Sequence, residues 1–152
     1  MKVIFLDVDG VLNTNFTKRT LYDYYTFVDR RKVFRLRDII ERTGAQIVLS
    51  SSWREIYSPI DKFCLETLAA EFNQVRCPLW IDITPVIRGG QRWQEIVKWL
   101  VRHPEVTNYI VLDDVAEELK PLERHLVITN PNRGLDKERA ELAISMLNKE
   151  KV

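Results

Sequence analysis

Cysteine, histidine and glycine are scarce in this 152-residue chain, which has two, two and five of them. Cys64 and Cys77 are too few for a disulfide framework and lack CxxC spacing. Both are expected as free thiols, buried or half-buried, in a reducing cytoplasm. His103 and His125 stand apart, with no partner at metal or triad spacing, and are expected in surface or capping roles. Neither sign of charge is in excess: 23 Lys plus Arg against 22 Asp plus Glu leaves +1. That excludes a histone-like nucleic-acid binder, though not a local basic patch. Long hydrophobic runs are also missing. The first, Val3 to Leu6, is cut by Asp7 and is too short for a secretory core. No run approaches the roughly 18 apolar residues of a spanning helix. The expectation is a soluble, cytoplasmic protein with no membrane partner and no obligate protein partner. At 45% hydrophobic and 30% charged, residues 1–152 suit one folded domain.

What is present is periodic. Four short apolar runs each end abruptly at a polar residue: Val3-Ile4-Phe5-Leu6 at Asp7, Ile47-Val48-Leu49 at Ser50, Tyr109-Ile110-Val111-Leu112 at Asp113, and Leu126-Val127-Ile128 at Thr129. Continuous, β-branched and aromatic-rich runs of this length predict strands buried on both faces. Helical spacing lies between them. Val33, Leu36, Ile39 and Ile40 form one stripe, and Ser58-Pro59 opens a helix running to about Phe72. Trp93, Ile96, Val97, Leu100 and Val101 form another stripe, and Ala140, Ala143, Ile144 and Leu147 a last one. Trp93 and Trp99 belong to the core, and residues 76–90, with Pro78, Pro85 and Gly89-Gly90, predict a loop or short hairpin. Strands alternating with helices predict an α/β fold: a Rossmann-like parallel sheet with helices on both faces. Ligands bind such sheets outside the carboxyl ends of the strands, so Asp7, Ser50, Asp113 and Thr129 should share one rim.

Chemistry concentrates at that rim. In Asp7-Val8-Asp9-Gly10, two carboxylates at i and i+2 project to one side and Val8 to the other, and Gly10 lets the chain turn. Like charges so close need a cation or a shared proton, and Mg²⁺ is the natural partner of one or two carboxylates. The alternative is an ordinary acidic turn. Asp113-Asp114 is either a helix cap or the completion of the same metal site. Ser50-Ser51-Ser52 is either a cap or a phosphate cradle of hydroxyls and backbone N–H groups. Trp53 packs in the core or flanks the site, and Asn13 closes the loop after Gly10 by hydrogen bonding. Asn130, Asn132 and Gly134 read as turn residues whose rim position allows a substrate contact.

These pieces in this order resemble the haloacid dehalogenase (HAD) superfamily of aspartate-nucleophile phosphatases. Its DxDG is matched by Asp7, Asp9 and Gly10, its strand-end Ser or Thr by Ser50, and its acidic pair by Asp113-Asp114. The blocks LDVDGVLN, IVLSSSWR, RWQEIVKWL, HPEVTNYIVLDD and LVITNPNRGL look like the HAD domain of Swiss Army Knife RNA-repair proteins and their stand-alone relatives, over residues 2–135. The resemblance implies Asp7 as nucleophile and Asp9 as general acid and then base. It implies Mg²⁺ on Asp7, the backbone carbonyl of Asp9 and Asp114, with Asp113 in support. Ser50, with backbone N–H groups around Val8 and Ser51, would bind the remaining phosphoryl oxygens. The family's cation, usually Lys, has three candidates here: Arg92 at a helix start, Arg88 on the Gly-rich approach, and Lys98 deeper in the helix.

HAD enzymes differ chiefly in their caps. Only about 20 residues separate Gly10 from the next helix near Arg31, too few for a helical cap, so the resemblance implies a capless or minimally capped enzyme. From Thr17 to Arg37 there are seven basic residues (Lys18, Arg19, Arg30, Arg31, Lys32, Arg35, Arg37) against Asp23 and Asp29. Phe16, Tyr22, Tyr24, Tyr25, Phe27 and Phe34 are interleaved. The segment is either a solvated loop and helix face or a surface for phosphates and bases. The expectation is a Mg²⁺-dependent phosphomonoesterase acting on phosphorylated RNA or DNA ends. Two alternatives stay open: a HAD phosphatase of nucleotides, small metabolites or phosphoproteins, and a non-catalytic phosphate- or RNA-binding module.

Overall fold

The computed structural model describes residues 1–17 and 27–149. Five parallel strands form one sheet in the order β3-β2-β1-β4-β5. They are β1 (Lys2–Leu6), β2 (Gln46–Leu49), β3 (Asp82–Ile83), β4 (Asn108–Asp113) and β5 (Leu126–Ile128). The helices are α1 (Arg30–Thr43), α2 (Pro59–Gln74), α3 (Arg92–Val101) and α4 (Lys137–Asn148).

Strand parity sorts the core into two layers. Ile4, Leu6, Ile47, Leu49, Ile110 and Leu112 pack with Val33, Leu36 and Ile39 of α1, Leu68 and Phe72 of α2, and Ala143 and Leu147 of α4. Val3, Phe5, Val48 and Val111 face the other way, against Ile96 and Trp99 of α3 and Leu119 and Leu122 of the 3₁₀ segment Glu117–His125. The sheet is therefore covered on both faces, which is why its central strands carry unbroken apolar runs. Among the described residues no helix is long and apolar enough to cross a membrane.

Local chemistry sets the helix ends. Asp29 caps α1 by accepting from the Arg31 N–H, and Gly44, with φ of +72°, terminates it in the left-handed conformation. Ser58 caps α2 with Pro59 in its first turn, as the dipeptide predicts. Asp136 caps α4.

The structure departs from the sequence reading at residues 76–90. They hold neither a plain loop nor a hairpin: Asp82 and Ile83 pair in parallel with Val48 and Leu49, adding an edge strand. Two exposed residues have no periodicity, so neighbouring β2 alone makes them a strand. The helix α2 continues two residues beyond Phe72, and Glu117–His125 adds a 3₁₀ segment, while α1 begins at Arg30, next to the expected Arg31. Cys64 and Cys77 are free and buried, and burial pushes the Cys77 thiol up to about 12. His103 and His125 stack on Trp99 and Tyr109.

Candidate active site

Register assembles the rim. Leu6 of β1 lies level with Leu49 of β2 and Leu112 of β4, so the next residues, Asp7, Ser50 and Asp113, emerge side by side. The ladder continues one step further, with the Asp7 N–H donating to Leu112 O (2.9 Å) and the Ser50 N–H to Leu6 O (2.8 Å). Asp7 and Asp113 have the parity of Phe5 and Val111 and so face the α3 side, whereas Val8 joins the opposite core layer.

Three carboxylates converge. One oxygen from each of Asp7, Asp113 and Asp114 lies within 4.8 Å of the others. Asp7 and Asp113 are buried, at 7% and 2% exposure. Gly10 makes room for the third: it sits at φ +78°, and a Cβ there would overlap the Asp114 carboxylate. Asp113 is held by the Val115 N–H, which donates to its Oδ1 at 2.9 Å. An all-oxygen, hard donor set of two buried carboxylates and a half-buried third suits Mg²⁺.

Arg92, at the first turn of α3, reaches the carboxylates. Its Nη1 lies 3.3 Å from Asp7 Oδ1 and 3.5 Å from Asp113 Oδ2, and donates to the Ser50 carbonyl. Lys98 and Arg88 are both exposed, and no contact ties either to the three carboxylates among the described residues. Ser50 itself is 1% exposed, and its buried Oγ has no hydrogen-bond partner among the described residues. That leaves the hydroxyl able to donate to an oxygen brought to this rim.

One arginine does not balance the acids. Burial first, then the Asp113 charge, push Asp7 well above the usual carboxylate range despite Arg92. Burial likewise lifts Asp113 to about 6, against the opposing pull of Arg92. Both groups bind a proton more tightly folded than unfolded. Their contribution to stability is therefore full below about pH 4 and is lost as pH rises through the folded values. In metal-free buffer the melting temperature should fall across this range, and Asp113→Asn should flatten part of that slope. Mg²⁺ should raise the melting temperature near neutral pH and much less near pH 4.5, as scanning fluorimetry would show. A wild-type slope unchanged in Asp113→Asn refutes this account.

Asp9 is placed differently. Its carboxylate is exposed and outside the three-carboxylate cluster, and accepts from Asn13 Nδ2 (2.9 Å) and Trp53 Nε1 (3.0 Å). Trp53 is both core, at 4% exposure, and neighbour of the site. The β1 loop is also stitched to the loop after β5: Thr129 Oγ1 donates to the Gly10 carbonyl at 2.7 Å, and Asn15 Nδ2 donates to Asn132 Oδ1 at 2.7 Å.

Sequence reasoning missed Arg54 and Glu95. Arg54 donates to the Ser51 carbonyl (2.6 Å), the Thr84 carbonyl (3.1 Å) and Glu95 Oε2 (2.5 Å). Glu95 Oε1 also accepts the Ile87 N–H at 3.1 Å. This buried pair ties the Ser50–Ser51 turn to α3, one turn beyond Arg92. An Arg after Trp53 and a Glu inside a helix carry no spacing signal, because only the sheet brings them together. Arg54→Met leaves Glu95 buried without its cation, and should cost about 3–5 kcal/mol in urea unfolding. A loss below about 1 kcal/mol would show the pair to be dispensable.

The described part of the basic segment is largely engaged. Lys32 is buried and donates to Arg133 O (2.7 Å), and Arg35 donates to Leu135 O (3.0 Å). Arg30 pairs with Glu71, Arg31 with Asp29 and Arg37 with Glu41. Lys18, Arg19, Tyr22, Asp23, Tyr24 and Tyr25 lie outside the described residues. Phe16 and Phe34 are exposed, at 82% and 55%.

No curated protein and no solved structure matches the chain. A family model described as the HAD domain in Swiss Army Knife RNA repair proteins matches residues 3–140. Nearly the whole chain falls within that match, including the rim of every strand described above, and the chain therefore belongs to this HAD family.

Proposed function

We propose that the chain is a Mg²⁺-dependent phosphomonoester hydrolase acting on phosphorylated nucleic-acid ends. The observation that carries this reading is Asp7, buried between Arg92 and the Asp113–Asp114 pair and beside the orphaned Ser50 hydroxyl. Asp7, Asp114 and the Asp9 backbone carbonyl would hold Mg²⁺, which when bound offsets the negative charge on the phosphoryl oxygens.

A carboxylate oxygen of Asp7 attacks phosphorus as the bond to the leaving oxygen breaks, and Asp9 gives that oxygen its proton. Water then attacks phosphorus, Asp9 takes the water's proton, and the aspartyl–phosphorus bond breaks to regenerate Asp7. Arg92 and Ser50 bind the equatorial oxygens as charge builds on them. Asp113 orients Arg92 and braces the metal-binding oxygens.

Support for a nucleic-acid substrate comes from the family's association with RNA repair and from the short span between Gly10 and α1, which leaves little chain for a cap. The paired state of Arg30, Arg31, Lys32, Arg35 and Arg37 lends no independent weight to it.

The test is Mg²⁺-dependent phosphate release from matched 3′- and 5′-phosphorylated RNA oligonucleotides beside a small aryl phosphate. Fast release from one RNA end supports the proposal and assigns its polarity. Release from the aryl phosphate alone keeps the chemistry and moves the substrate to nucleotides, metabolites or phosphoproteins. Oligonucleotide binding with no release from any substrate would make the chain a binding module.

A further inference from the structure

We infer that Trp53 and Asn13 are positioning residues for Asp9, together fixing the plane of its carboxyl group for proton transfer. The inference rests on the proposed acid–base role of Asp9 and adds to it the residues that make an exposed carboxylate directional.

An Asp side chain at the surface turns freely about its terminal torsion, whose energy wells are broad. Asp9 is exposed, yet each of its oxygens accepts a separate N–H: Oδ1 from Asn13 Nδ2 at 2.9 Å, Oδ2 from the Trp53 indole at 3.0 Å. Both donors are buried, Asn13 at 2% exposure and Trp53 at 4%, so neither moves with solvent. They also come from different loops, one after β1 and one after β2.

Each donor is held in turn. Asn13 Oδ1 accepts the Gly10 N–H at 3.0 Å, which sets the amide so that its NH₂ faces Asp9. The Trp53 backbone N–H donates to Ser51 Oγ at 3.2 Å, and the next residue is Arg54, locked by Glu95. A carboxylate oxygen has two lone pairs. With one on each oxygen taken by an N–H, the remaining lone pairs point in fixed directions, where a proton can be given and later taken back. Proton transfer depends steeply on that alignment.

A positioning role of this kind has a signature that simple structural support lacks. A basic alkoxide leaving group needs the Asp9 proton, whereas 2,4-dinitrophenolate leaves without it. Steady-state rates are therefore compared on a ribonucleoside 3′-monophosphate and on 2,4-dinitrophenyl phosphate, for wild type, Asp9→Asn, Trp53→Phe and Asn13→Ala. Trp53→Phe keeps a buried ring and removes the N–H. Asn13→Ala removes the other donor from a separate loop, so the two variants test the same idea through different packing. Melting temperatures establish that each variant is folded.

Asp9→Asn should shift the ratio of the two kcat/KM values, which report only the steps up to departure of the leaving group, by about 10²–10³-fold toward the aryl phosphate. Trp53→Phe and Asn13→Ala should each shift that ratio the same way by about tenfold. If Asp9→Asn shifts the ratio but both other folded variants slow the two substrates equally, the positioning role is overturned and Asp9 keeps its assignment. If Asp9→Asn leaves the ratio unchanged, the acid–base reading falls and the positioning role falls with it.

Discussion

Asp7→Asn is expected to reduce phosphate release by at least about 10⁴-fold while leaving the chain folded. The amide matches the carboxylate in shape but has no anionic oxygen to attack phosphorus, and the aspartyl-phosphate cannot form. The same substitution should raise the melting temperature in metal-free buffer near neutral pH. Asp7 is buried beside Asp113 and its surroundings disfavour its charge even with Arg92 close by. A neutral side chain there relieves a cost that wild type bears at that pH. Phosphate release and a thermal melt on one preparation check both parts. Wild-type turnover would end the nucleophile assignment. A lower melting temperature would show that Asp7's bond with Arg92 outweighs its burial.

Arg92→Met is expected to lower kcat/KM by about 10²–10³-fold, the usual scale for losing one donor aimed at developing charge. Nη1 of Arg92 reaches Asp7, Asp113 and the Ser50 carbonyl from the start of α3, so it links three strands' ends to one helix. Methionine fills a similar volume and leaves the three carboxylates without their cation. Mg²⁺ should then be needed at lower concentration even as turnover falls, because the acids lose a competing positive charge. Arg92→Lys should recover within about tenfold of wild type, as a point charge without the fork. Titrating Mg²⁺ against rate for the three proteins decides it. Parallel loss of metal affinity and rate in Arg92→Met would mean that Arg92 braces the site rather than binding phosphate.

Most of the architecture was legible in the chain itself. The runs ending at Asp7, Ser50, Asp113 and Thr129 are the four longer strands, and parity alone put Asp7 and Val8 on opposite sides. Ser58-Pro59 marked the start of α2 because capping is a property of a few adjacent residues. The two-residue β3 was not legible, since its residues are exposed and only β2 makes them a strand. Likewise Lys32 sits within a run of cations that reads as a solvated surface, yet it is buried with its ammonium on the Arg133 carbonyl.

The candidate site divides along the same line. Asp7, Ser50 and the Asp113–Asp114 pair stand at the ends of hydrophobic strands, and a parallel sheet must bring strand ends to one rim, so the sequence by itself determined that these residues would meet. Bringing Arg92 to Asp7, joining Arg54 to Glu95, and setting Trp53 and Asn13 on the two oxygens of Asp9 all needed the tertiary structure. Periodicity records which face a residue occupies, because burial repeats with the backbone. It does not record how far a long side chain extends or which residue from a distant loop it meets, because those depend on the packing of elements far apart in the chain.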